Sequence, residues 1–386
     1  MADKIKLLAG VITGIAFCLT VFLLIESFKG LPSIETEYLM TNEAVAETVN
    51  LETPKADIKR KSITFILGDD QKPENRYYWE ATNYYKTSPE AKTDKLVTHC
   101  RSLLEVRNYL EEKAIPGTPW GLVNLVVHSN EWSGIEIPVV PEGNRATVQT
   151  VQAALDGGLF PPLTEEIADS NTTIFMHGCA LGKNEALVQV LKEAFFGKGN
   201  HVNKTLQSSP YFVLYESKMI NGMPVSRKFN ANAYYAFYKR GYRPGDIKLS
   251  RQLASRYAET EVDWRGALER TQPRFTGDLY HYTFHLPIVW TVTYPDNTSR
   301  PSLKTEVEKE AWLNEQPELL EAVKELGISK DLFTWTFRNV NYTFEDGVTE
   351  PGIKVIGFCT VLCVLEPLVE EKDESVMVPY SFSKQG

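Results

Sequence analysis

The stretch Thr172–Asn184, TTIFMHGCALGKN, constrains this chain more than any other. Ile174, Phe175 and Met176 form the short apolar run that a strand buried on both faces requires. Gly178 and Gly182 give the backbone freedom for a sharp turn. Asn184 is placed to cap a helix in which Ala186, Leu187, Val190, Leu191 and Ala194 recur at helical spacing. The segment therefore reads as strand, tight turn and helix, with Cys179 at the carboxyl end of a central strand. In open α/β sheets that edge is where chemistry is placed. A nearby helix N-terminus predicts a lowered thiol pKa.

A second apolar run, Gly121–Val127, ends in His128-Ser129-Asn130. If the two strands are parallel neighbours, His128 and Cys179 project over the same sheet edge. A first strand, Ser62–Leu67, ends in Gly68-Asp69-Asp70, and a fourth spans Pro210–Tyr215. Between them, Tyr77–Tyr85 reads as a tyrosine-rich loop and Leu96–Lys113 as an amphipathic helix with Cys100 on its apolar seam. Gly134–Val139 alternates like a hairpin arm, and Thr147–Leu155 reads as a short helix. Residues 61–245 thus alternate strand and helix, which predicts an α/β domain with a mostly parallel sheet covered on both faces. Residues 246–386 change character into an α+β extension. Helices are expected there at 247–258, 263–270 and 303–326. Strands are expected at 279–294, 333–344 and 353–365.

The amino-terminal end carries a different signal. Leu7–Ile25 is an almost unbroken apolar run, long enough at about 1.5 Å per residue to cross a hydrocarbon core of about 30 Å. Lys4 and Lys6 precede it, and no small-residue cleavage pattern follows. Residues 1–28 are therefore expected to be an uncleaved signal anchor and residues 29–60 an acidic linker. The rest of the chain is expected outside the cytoplasm, held by a single span. A net charge of −9 without a basic stripe argues against nucleic acid as a partner.

An apolar strand ending in His, followed about fifty residues later by one ending in Gly-Cys, resembles the caspase-like (clan CD) cysteine peptidases. That group includes caspases, clostripain, gingipains and separase. The likeness covers about residues 61–215. It implies Cys179 as nucleophile, His128 as its proton-handling partner, and oxyanion donors at the Gly178-Cys179 turn and at Ser129. Ser129 stands where the family usually has Gly, and His177-Gly178 where caspases have Gln-Ala. The chemistry suits the residue types: a thiolate attacks a peptide carbonyl, and an acyl-enzyme divides one hard step into two. The resemblance implies a protein or peptide substrate and no cofactor.

Other assignments compete for the same residues. Most free cysteines are small buried hydrophobes, and most histidines are structural. A zinc site from His128, His177 and Cys179 has acceptable ligand types but no familiar spacing. Asp69 and Asp70 close the first strand at the functional edge, either as a site for a basic substrate side chain or as turn caps. His281 and His285, like Cys359 and Cys363, are four apart in strand-like alternation. Such a pair spans about 13 Å, too far for chelation or a disulfide. The alternative to a peptidase is an inactive caspase-like domain acting as a surface-tethered binding protein. Its partner contacts would then lie in the aromatic-rich 246–386 region. The sequence leaves the oligomeric state open.

Overall fold

The computed structural model describes residues 60–368 except 71–75, 92, 200–203, 272–277 and 345–346. The expected anchor at 1–28 and nearly all of the 29–60 linker lie outside the described residues. No helix among the described residues is long and apolar enough to cross a membrane.

The molecule is α/β, built on a parallel sheet in the order β2-β1-β3-β7-β8. Its strands are β1 (Ser62–Ile66), β2 (Lys95–Val97), β3 (Leu122–Val126), β7 (Thr173–His177) and β8 (Thr205–Ser208). Every pairing in it is parallel. Alternation divides the side chains cleanly. Ile63, Phe65, Val123, Leu125, Ile174 and Met176 face one core, with the helices Leu103–Glu112, Val148–Asp156 and Glu185–Phe196 packed over them. Ile66 and Val126 face the other side, covered by the helix Tyr77–Thr87 and by Val213 and Tyr215 of β9 (Phe212–Ile220).

Two expectations are corrected. The tyrosine-rich segment is a helix, because Tyr77, Tyr78, Ala81, Tyr84 and Tyr85 recur at helical spacing and all are buried. Residues 95–113 begin with the short strand β2 rather than with a helix. Ser102, whose side chain accepts from the Glu105 N–H, caps the helix only from Leu103 onward. Cys100 is nevertheless buried in the core.

The second sheet is antiparallel. Its axis is β13 (Thr349–Pro367), paired along one edge with β11 (Tyr280–Thr293). The other edge of β13 is shared between β12 (Thr334–Thr343) and β10 (Met223–Lys239), and β10 hairpins back to β9. Strands from both sides of residue 245 therefore share one sheet. Residues 247–258 and 263–270 are helical over Asp246–Arg256 and Trp264–Leu268. The helical region expected at 303–326 is divided into Glu306–Asn314 and Pro317–Glu325. A small antiparallel sheet, β4 (Ser129–Asn130), β5 (Gly134–Pro138) and β6 (Arg145–Ala146), follows β3 directly.

Candidate active site

The parallel register fixes where the two candidate residues emerge. Leu122 pairs with Thr173 and Val126 with His177, a constant offset of 51 residues. The Val127 N–H continues the ladder to the His177 carbonyl at 3.1 Å. His128 and Cys179, also 51 apart, leave the two strands at matching positions two residues beyond the last pair. Adjacent strands lie about 4.8 Å apart. Both residues line one cleft of about 1310 Å³, together with Ser129, Tyr77, Phe212 and Glu216.

The turn that carries the thiol is tightly held. A Cβ at Gly178 would lie 2.3 Å from the Ser129 hydroxyl, so the position needs glycine. The Ser129 hydroxyl donates to the Cys179 carbonyl at 3.2 Å and ties the two loops together. Ala180 sits in the left-handed region at φ 54°, and its N–H donates to the Tyr211 carbonyl at 3.0 Å. For a residue with a Cβ that conformation costs about 1–2 kcal/mol. A short 3₁₀ turn, Leu181–Lys183, then separates Cys179 from the helix Glu185–Phe196. Asn184 caps that helix by accepting from the Leu187 N–H at 3.0 Å.

That separation removes the expected helix effect on the thiol. Cys179 is only 8 % exposed and packs among Ala180, Phe212, Tyr235 and the half-buried Trp132. Its Sγ is 4.0 Å from the Val213 carbonyl. Burial pushes the thiol up to about 12, opposite to the lowering expected from the sequence.

His128 is held by two tyrosines of the helix Tyr77–Thr87. The Tyr77 ring lies 4.5 Å from the imidazole, and the Tyr78 ring meets it edge-on at 4.7 Å. The His128 N–H donates to the Tyr78 hydroxyl at 3.0 Å. A Cβ at Gly68 would lie 2.3 Å from the Tyr78 ring, so the first strand ends in glycine to seat it. The apolar surroundings lower the imidazole to about 4, which keeps it neutral.

The remaining candidates are placed elsewhere. His177 turns into the protein, where its Nε2 is 2.9 Å from Asn124 Oδ1 and its ring stacks on Phe175. Asn124 in turn donates to Thr64 Oγ1 at 3.2 Å, forming a buried polar chain across β1, β3 and β7. His177 is thereby committed away from a set with His128 and Cys179. Among the described residues no group of His, Cys, Asp or Glu is arranged to hold a metal ion. Asp69 is exposed and pairs with Arg101. Asp70 accepts from the Tyr78 and Trp79 N–H groups at 3.2 and 2.6 Å, capping the tyrosine helix. Neither aspartate lines the cleft that holds Cys179. His281 bonds to the Ala267 carbonyl and His285 to the Thr360 hydroxyl. Cys100, Cys179, Cys359 and Cys363 are free thiols.

Comparison with known proteins gives no matching family model, no matching curated protein and no matching solved structure.

Proposed function

We propose that this chain is a cysteine endopeptidase of the caspase-like type, acting on a protein or peptide through Cys179 and His128. The observation that carries this reading is the shared register, which brings a thiol and an imidazole to matching positions at the carboxyl edge of a parallel sheet. Both side chains border a cleft large enough for a peptide.

The resting pair is a neutral thiol and a neutral imidazole. His128 then acts as general base. It takes the Sγ proton as sulfur bonds to the peptide carbonyl carbon, and passes it to the departing amine. Water hydrolyses the resulting thioester, with His128 accepting a proton from the water and returning one to the thiolate. The Cys179 and Ser129 N–H groups are the proposed oxyanion donors. The left-handed Ala180 supports this reading, because strain of this kind gathers at functional turns. The apolar run at residues 7–25 is proposed to tether residues 61–386 outside the cytoplasm.

The test is hydrolysis of a fluorogenic peptide library by the full chain. Activity that disappears in Cys179→Ala and in His128→Ala supports the peptidase. Full activity in Cys179→Ala excludes it. One observation favours a second reading, a tethered binding protein without turnover: the thiol is buried in an apolar cluster that includes Phe212 and packs against Trp132. That reading predicts peptide binding that survives Cys179→Ala and no cleavage by the wild-type chain.

A further inference from the structure

The peptidase reading leaves two acidic side chains of the same cleft without a role. Glu80 lies on the helix Tyr77–Thr87 and Glu216 on β9, and both line the cleft. Among the described residues each carboxylate is ion-paired through one oxygen. Glu80 Oε1 is 3.9 Å from Arg76, and Glu216 Oε2 is 3.0 Å from Arg227. The other oxygens, Glu80 Oε2 and Glu216 Oε1, are buried with no hydrogen-bond partner among the described residues. Glu216 as a whole is only 8 % exposed.

A buried carboxylate oxygen left unpaired is costly, so such atoms mark places where a donor is expected. Two of them, from neighbouring elements that pack together, ask for a donor with several N–H groups and a positive charge. Glu216 is raised by its own burial and by Glu80, which a cation between them would reverse. The other charged side chains at the cleft are Glu136, Asp278, Arg145 and the exposed Lys218.

The position of Glu80 relative to the catalytic pair follows from Tyr77. The Tyr77 ring lies tilted against His128 at 4.5 Å and meets the Tyr215 ring edge-on at 5.6 Å. Glu80 follows Tyr77 by three residues, just under one helical turn, or about 4.5 Å of rise. Glu216 follows Tyr215 on β9, so its side chain leaves the opposite face of that strand while still bordering the same cleft.

We propose that Glu80 and Glu216 form a subsite for a guanidinium or ammonium group, and that it selects a basic side chain close to the bond presented to Cys179. This rests on the peptidase reading for the identity of the ligand as a peptide. It replaces Asp69 and Asp70 as the acidic determinants of the cleft.

The test separates the two ideas. Binding of butylguanidine and of its neutral isostere butylurea is measured by calorimetry on the full chain, alongside cleavage of peptides with arginine or norleucine near the scissile bond. The expected result is butylguanidine binding that weakens at least tenfold in Glu216→Gln and in Glu80→Gln, with no comparable binding of butylurea. The Glu80 variant guards against a folding defect in the Glu216 variant. Equal binding of the two probes, or binding unchanged in both variants, overturns the subsite. Cleavage indifferent to charge and to both variants overturns it too, while leaving the peptidase intact. Butylguanidine binding without any cleavage retains the subsite and removes the peptidase.

Discussion

His128 and Cys179 are separated by 51 residues, the same offset that pairs each residue of β3 with its neighbour on β7. The two residues therefore leave the sheet at matching backbone positions, and the hydroxyl of Ser129 fastens the loops that carry them. The juxtaposition is a property of the sheet. Any shift in parallel register would separate them by at least one residue step, about 3.3 Å.

The thiol is expected to be slow. With burial holding Cys179 up to about 12, alkylation by iodoacetamide at pH 7 to 8 should be far slower than for an exposed cysteine. Cys100 and Cys359, raised to about 11, should be slow as well. Peptide mapping after timed labelling measures each site. Rapid labelling of Cys179 below pH 8 would show a preformed thiolate, contrary to the neutral pair.

The pH profile of turnover should follow His128. Its imidazole must be neutral to accept a proton, and burial lowers it to about 4. The acid limb of kcat/KM is therefore expected near pH 4, not near the ordinary histidine value of about 6.5. A limb at 6.5 would mean a solvated imidazole outside the tyrosine clamp.

Acid should also weaken the fold. His128 and His177 are both held below their ordinary values by burial. The unfolded chain takes up protons below about pH 6.5, while the folded chain resists until lower pH. Stability is thus present above that value and lost as pH falls from about 6.5 toward 4. Urea midpoints at pH 7 and pH 5 test this. His177→Gln, which cannot charge, should flatten the dependence.

Gly178 and Ser129 should behave as a coupled pair. Gly178→Ala places a Cβ 2.3 Å from the Ser129 hydroxyl and is expected to cost about 1–3 kcal/mol in urea unfolding. In Gly178→Ala with Ser129→Gly the clash is removed, so part of that loss should return. Additive losses in the double-mutant cycle would contradict the contact.

Much of this was legible from residue types and spacing, for identifiable reasons. The strand at Thr173–His177 and the Asn184 cap were readable because an apolar run and a capping side chain act locally. That His128 and Cys179 follow two strands of one sheet was readable because both close apolar runs; that the strands are parallel neighbours came from the structure. The tyrosine helix was not legible although its 77, 78, 81, 84, 85 spacing is helical, because tyrosine is a middling helix former and the capping side chain, Asp70, lies well upstream of an N-cap position held by Arg76. The state of the thiol was not readable. It depends on Phe212 and Tyr235, which the second sheet brings to Cys179, and on Trp132, which comes from the loop between β4 and β5. The same holds for Glu80 and Glu216, whose unpaired oxygens are defined by three-dimensional packing alone.

The most direct measurement is intact-protein mass spectrometry after exposure to a peptidyl acyloxymethyl ketone, which reacts with a thiol only when a working site activates it. The account predicts a single adduct, mapped to Cys179, that forms in the folded wild-type chain and is lost in His128→Ala. An adduct spread over Cys100, Cys359 and Cys363, or one at Cys179 that forms equally well without His128, would contradict it.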